Sequence, residues 1–230
     1  MSKLLCICEG TSEHNFVTHV LQPYFNQKGV NVSLETVLLG WRNPMAQGAG
    51  GDVRFSRLRT DLSFLFAGGL AYDAVTTLFD FYGLKTDWTG LSQVTSVMRP
   101  EEKACCVEQA AARDLCLHFS GNYPVEVAKV IPNVFMHEYE GLMFSNVASI
   151  VNITRAYKAL PALSAIESSF QAPEAINDGE DTAPSKRLIA AQVNYSKTLH
   201  GHRIISDIGI DVIRSKCPHF HAWLSKIESI

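Results

Sequence analysis

"KLLCICEGTSEHNFVTHVL", residues 3 to 21, decides the fold class. Leu4 to Cys8 is apolar without alternation, as a strand covered on both faces must be. The run stops at Glu9-Gly10, and Thr11 or Ser12 can cap the helix that follows. Phe16, Val17, Val20 and Leu21 recur at helical spacing, and Pro23 follows as a stop signal. Strand, sharp turn and helix open an α/β unit. The same stretch sets Glu9 at the end of a buried strand and Glu13 in the first turn after it.

Working outward, Val30 to Leu39 reads as a second strand and Gly40 to Asp52 as a glycine-rich loop. Val53 to Phe66 reads as a helix with Leu58, Leu62 and Leu65 on one side. Ala74 to Phe79 is a third strand ending at Asp80, and "YGLKTDWTG" is the loop after it. Pro100 to Phe119 is a helix, with Pro100, Glu101 and Glu102 at its positive end. Val127 to Met136 is another apolar run, ending at His137-Glu138, and Glu140 to Phe144 begins a helix. Strands alternating with helices imply right-handed crossovers and a Rossmann-like, mostly parallel sheet flanked by helices.

Residues 150–230 carry helical patterns and little strand character. "NDGEDTAPSKR" is a turn and a helix start, with Thr182 as cap and Pro184 in the first turn. Trp223, Leu224 and Ile227 form a core stripe. The expected organisation is an α/β core over 1–149 with a helical C-terminal extension over 150–230 packed on it.

Composition narrows the class. The chain has 230 residues, 47% of them hydrophobic, which suffices for a substantial core. Its net charge of -3 excludes a globally basic nucleic-acid binder, so any such contact is a local patch. The apolar start is too short for a signal peptide, and no run nears the roughly 20 residues that span a bilayer. Cys6, Cys8, Cys105, Cys106, Cys116 and Cys217 do not form the framework of a small secreted domain. They read as reduced thiols of a cytoplasmic protein, with Cys6 and Cys8 in the core.

Three strand-like segments end in acid, at Glu9, Asp80 and Glu138. Ligands of open parallel sheets bind beyond the carboxyl ends of the strands. Glu13 and Glu140 add two more carboxylates at that edge. Neighbouring carboxylates repel, and a hard divalent cation removes the conflict. Two Mg²⁺ or Mn²⁺ ions about 4 Å apart can activate water and stabilise a leaving oxygen in phosphodiester cleavage. Gly10, lacking Cβ, lets a substrate backbone come close. The competing reading is that these acids cap helices and pair with arginines.

"LCICEGTSE" resembles the hydrophobic-Glu-Gly motif that opens Toprim domains, the catalytic modules of topoisomerases, primases and overcoming-lysogenization-defect nucleases. The whole chain resembles a bacterial Toprim-like family of unknown function, often encoded beside an ABC/AAA-type ATPase. "CEGTSEHNFV", "TTLFDFYGL", "MHEYEGLMFS", "INDGEDTAPSKRL" and "CPHFHAWL" carry the likeness from Glu9 to Leu224. The resemblance implies that Glu9 is a metal ligand or general acid/base, and that Glu13 is the second acid of a Glu-x-x-x-acid pair. It makes Asp80 the first acid of an Asp-x-Asp motif. Tyr82 replaces the second acid, which puts two-metal chemistry in doubt; Glu138 or Glu140 can substitute. Lys186, in a helical first turn, is the expected phosphate-binding residue.

"GWRNPMAQGAGGDVRFSRLR" sets four arginines against one acid, and such a loop can track a phosphate backbone. Arg42, Arg54, Arg57 and Arg187 are the candidate nucleic-acid contacts; Arg57 and Asp61 are equally placed to pair on a helix face. The loop lacks the Gly-Lys-Ser/Thr ending of a P-loop. "HEYEG" lacks the second His of a zincin, and His219 and His221 cannot share a helix face as zinc ligands with Cys217. The expected protein is a Mg²⁺- or Mn²⁺-dependent Toprim-like nuclease, an effector of ATPase-coupled defence against phage or plasmids, with a homodimer possible. The alternatives are a regulatory subunit of the ATPase with a degenerate site, and a phosphatase or nucleotidyl transferase using the same carboxylates.

Overall fold

The computed structural model describes residues 1–41, 50–176 and 181–230. Arg42, most of the glycine-rich loop and the start of the "NDGED" turn lie outside the described residues. The strands are β1 (Ser2–Cys8), β2 (Val32–Leu38), β3 (Ala74–Asp80), β4 (Val130–Ile131) and β5 (Val134–Phe135). Their order is β2-β1-β3-β4, with β5 also on β3, and every pairing among them is parallel. This is the Rossmann-like α/β arrangement. β2 lies on one side of β1 and β3 on the other, so the switch point falls between β1 and β3.

Alternate residues of β1 feed two cores. Leu4, Cys6 and Cys8 face one apolar cluster; Leu5 and Ile7 face the other. The second cluster is built on α3 (Phe55–Ala67) and α4 (Pro100–Phe119). The first holds α1 (Thr11–Phe16), α2 (Gln22–Lys28) and most of the C-terminal helices. Those are α6 (Val147–Thr154), α7 (Leu160–Ser168), α8 (Pro184–Ala190), α9 (Lys197–Ile208), α10 (Ile210–Lys216) and α11 (Pro218–Glu228), after the short α5 (Pro124–Val127). Helix α6 runs across residues 149 and 150, and Trp223, Leu224 and Ile227 are buried in the cluster that contains Leu4. The C-terminal helices therefore share a core with the sheet.

Two local readings are corrected. Pro23 does not end its helix: a π turn, Val17–Leu21, precedes it, and the helix resumes as α2 to Gly29. The Gln22 N–H bonds back to the Val17 carbonyl, five residues away, so the wider turn enters the proline without a break. The apolar run 127–136 is not one strand, because Pro132 between β4 and β5 has no N–H for the ladder. The Thr77 hydroxyl bridges the gap, accepting from the Asn133 N–H at 2.9 Å and donating to its carbonyl at 2.8 Å. Residues Tyr139–Ser145 form a 3-10 helix after a cis Met136–His137 peptide bond.

Candidate functional site

Parallel pairing brings the carboxyl ends of β1 and β3 together at the switch point. Glu9 directly follows β1, and its Oε2 accepts the Asp80 N–H at 3.0 Å. Asp80 ends β3; its Oδ1 accepts the Tyr139 N–H at 2.7 Å, tying the 3-10 helix to the sheet. Glu13 sits in the first turn of α1, and its Oε2 accepts the Gly10 N–H at 2.8 Å, half of a capping box. Glu140 enters from the 3-10 helix and accepts a hydrogen bond from the Tyr195 hydroxyl at 3.2 Å.

The cation among them is Lys197, the first residue of α9. Its Nζ donates to Asp80 Oδ2 at 2.9 Å and lies 3.5 Å from Glu140 Oε2 and 3.7 Å from Glu13 Oε1. Glu13, Asp80 and Glu140 are buried, while the lysine side chain is 38% exposed. Glu13 Oε1 and Glu140 Oε2, the two oxygens that face Nζ without bonding it, have no hydrogen-bond partner within the protein. Burying charged oxygens that way is costly.

The electrostatics follow. Burial, then the Asp80 charge, pushes the Glu9 carboxyl up to about 8. Burial likewise raises Glu13 and lifts Glu140 to about 7, against the pull of Lys197. Burial opposes the lysine charge, but Asp80, Glu140 and Glu13 outweigh it and hold Lys197 protonated. The folded chain therefore holds more protons than the unfolded one between about pH 4.5 and 8. The stability this contributes is full below that window and is lost as pH rises through it. His219 acts in the same direction: burial lowers it, but its bond to Glu108 raises it further. The melting temperature is expected to fall between pH 5.5 and 8.5, and to fall less in Glu9→Gln. A flat wild-type profile would refute this electrostatic picture.

Glu138 goes elsewhere: its Oε2 accepts the Ser185 N–H at 2.9 Å and so caps α8. The N-cap residue of α8 is Ala183 rather than Thr182, and the capping carboxylate comes from across the fold. Of the two candidate acids, Glu140 joins the cluster, because the 3-10 turn points it inward. Lys186 is exposed on α8. Arg57 donates to the carbonyls of Leu39 and Asp52 and so braces the loop beside Glu9. Arg54 is exposed and bonded to Asp52, and Arg187 bonds the Thr182 carbonyl and covers the Phe170 ring. Cys217, His219 and His221 contact Ser145, Glu108 and Arg214 respectively, so they do not converge.

Two members of the site carried a signal that the reading of the sequence passed over. A lysine at the first position of a helix opposes the helix dipole, so Lys197 needs a reason to be there. Gly83 follows Asp80 closely, and a Cβ on it would lie 2.7 Å from Glu9 Oε2 and 3.0 Å from Oε1. Only glycine leaves the Glu9 carboxylate in place. Gly83→Ala is expected to displace that flexible carboxylate and weaken any cation binding that depends on it, with less than about 1 kcal/mol lost in stability. Calorimetry beside urea unfolding checks this; unchanged cation affinity would show that the carboxylate's position does not matter.

As donors, Glu9, Glu13, Asp80 and Glu140 fit a hard cation, being oxygen ligands with two buried lone-pair sites unserved. As placed around the lysine, no three or more His, Cys, Asp or Glu residues among those described are arranged to hold a metal ion.

Fold and site together define a Rossmann-like α/β protein with a carboxylate–lysine cluster at its switch point. The chain belongs to the family described as Domain of unknown function (DUF4276), which it matches over residues 8–228. No curated protein and no solved structure matches it. Among the described residues, no helix is long and apolar enough to cross a membrane.

Proposed function

We propose that this protein is a Mg²⁺- or Mn²⁺-dependent nuclease that hydrolyses phosphodiesters of nucleic acid with Toprim-like chemistry. The observation that carries the reading is the buried set of Glu9, Glu13, Asp80 and Glu140 at the switch point, with two oxygens unserved. These four residues would hold the metal, which when bound supplies an activated water and neutralises phosphate charge. Glu9, with its carboxyl raised to about 8, is suited to hold or accept a proton near neutral pH. Lys197, rather than Lys186, is the cation at hand for a phosphate oxygen. A substrate backbone can approach over Gly10, where the fold itself requires no glycine: φ is -156° and a Cβ would meet only Glu13 Oε2 at 3.5 Å. Arg54, exposed beside the Gly50–Gly51 loop that contacts the Glu9 carbonyl, would steer a phosphate backbone. An ABC/AAA-type ATPase partner and a role in defence come from the family resemblance alone.

The test is to titrate Mn²⁺ into the chain by calorimetry, then incubate it with labelled single-stranded DNA, duplex DNA and RNA. Saturable binding with chelator-sensitive cleavage supports the proposal. Failure to bind millimolar Mn²⁺, with or without an oligonucleotide, overturns it. A second reading is a regulatory subunit with a degenerate site. Tyr82 in place of an acid and the lysine already seated among the carboxylates favour it, and stable binding to an ATPase without Mn²⁺ uptake would select it.

A further inference from the structure

We infer that Lys197 is a tethered counter-ion that competes with a divalent cation for the carboxylates, so the site loads metal only as the lysine withdraws. The inference rests on the metal reading above and adds a gate to it.

The ammonium stands where the carboxylates converge, within 4 Å of Asp80, Glu140 and Glu13. It serves them poorly. It hydrogen-bonds Asp80 Oδ2, while Glu13 Oε1 and Glu140 Oε2 face it unbonded and fully enclosed. One positive charge sits against three carboxylates, and of the three oxygens that face it only Asp80 Oδ2 receives a hydrogen bond. A cation with six or more oxygen ligands suits such a set better. Ammonium and divalent cation repel each other, so they do not share the position.

The way out is short. Lys197 is the first residue of α9 and its side chain is 38% exposed, so its four-carbon stem can swing to solvent without moving the helix. The positive end of α9 disfavours a lysine there, and the carboxylates hold it in place. Once a metal neutralises them, the dipole favours withdrawal and leaves the ammonium at the rim, free for a phosphate.

The experiment is Mn²⁺ calorimetry and thermal unfolding of the full chain, wild type against Lys197→Met, in chelator and in Mn²⁺. The variant is expected to bind Mn²⁺ at least about five-fold tighter. It is also expected to melt lower than wild type in chelator and to gain more than wild type from Mn²⁺. Should Lys197→Met not fold, Lys197→Gln, which keeps a donor toward Asp80, carries the same expectation. Equal or weaker Mn²⁺ binding by the variant, with wild type binding, overturns the gate and leaves the metal site standing. Binding by neither chain overturns both.

Discussion

Glu9→Gln is expected to lower metal-dependent cleavage by about 10²–10³-fold or more, the scale seen when one charge-stabilising group is removed. It is also expected to leave the chain at least as stable at pH 8. Glutamine keeps the shape, and its carbonyl oxygen can still accept the Asp80 N–H that Glu9 Oε2 accepts now. Gly83 leaves the space beside it unchanged. What disappears is a carboxyl whose ionisation is opposed by burial and by Asp80 and Glu13. At pH 8 wild type bears the cost of holding that group about half ionised; the variant does not. Cleavage of a labelled oligonucleotide and melting curves at pH 8 check both halves. Cleavage at the wild-type rate would remove Glu9 from the mechanism. A large loss of stability would make its role structural.

Phe16→Ala is expected to cost about 3–5 kcal/mol, the range for deleting a fully buried aromatic ring. The ring is fully buried and meets Phe135 at 6.1 Å, Tyr139 at 5.6 Å and Phe220 at 6.3 Å between centroids. One side chain thus joins α1, β5, the 3-10 helix that supplies Glu140, and α11. No small shift closes such a gap, because the three partners belong to elements fixed by their own contacts. Sheet and C-terminal helices are expected to unfold in one transition, since they share one apolar cluster. Urea unfolding followed by tryptophan fluorescence and by far-UV circular dichroism checks this. A loss below about 1 kcal/mol, or two separate transitions, would mean that the C-terminal helices stand apart from the core.

Much of the fold was legible because its signals are local. An apolar run without alternation marks β1 and β3, since a strand covered on both faces has no polar side. Pro100 with two acids marks the start of α4, because an unpaired N–H and a positive helix end suit those residues. Parallel pairing follows from strand-helix alternation, and with it the convergence of Glu9 and Asp80 on one sheet edge. The misread places are those where a side chain or a turn from elsewhere settles the backbone. Thr77 bridges the break at Pro132, a π turn carries the helix through Pro23, and Glu138 replaces Thr182 at the α8 cap.

The sequence by itself determined the α/β class, the ends of β1 and β3 and three of the acids at the switch point, Glu9, Glu13 and Asp80. Each depends on residues within one strand, turn or helix start. Only the tertiary structure chose Glu140 over Glu138, since a 3-10 turn sets which of two acids faces inward. Only it brought in Lys197, which lies 117 residues from Asp80 and reaches it because α9 packs on α1 over the sheet. No periodicity encodes such a meeting; the shared apolar core that docks the two helices does.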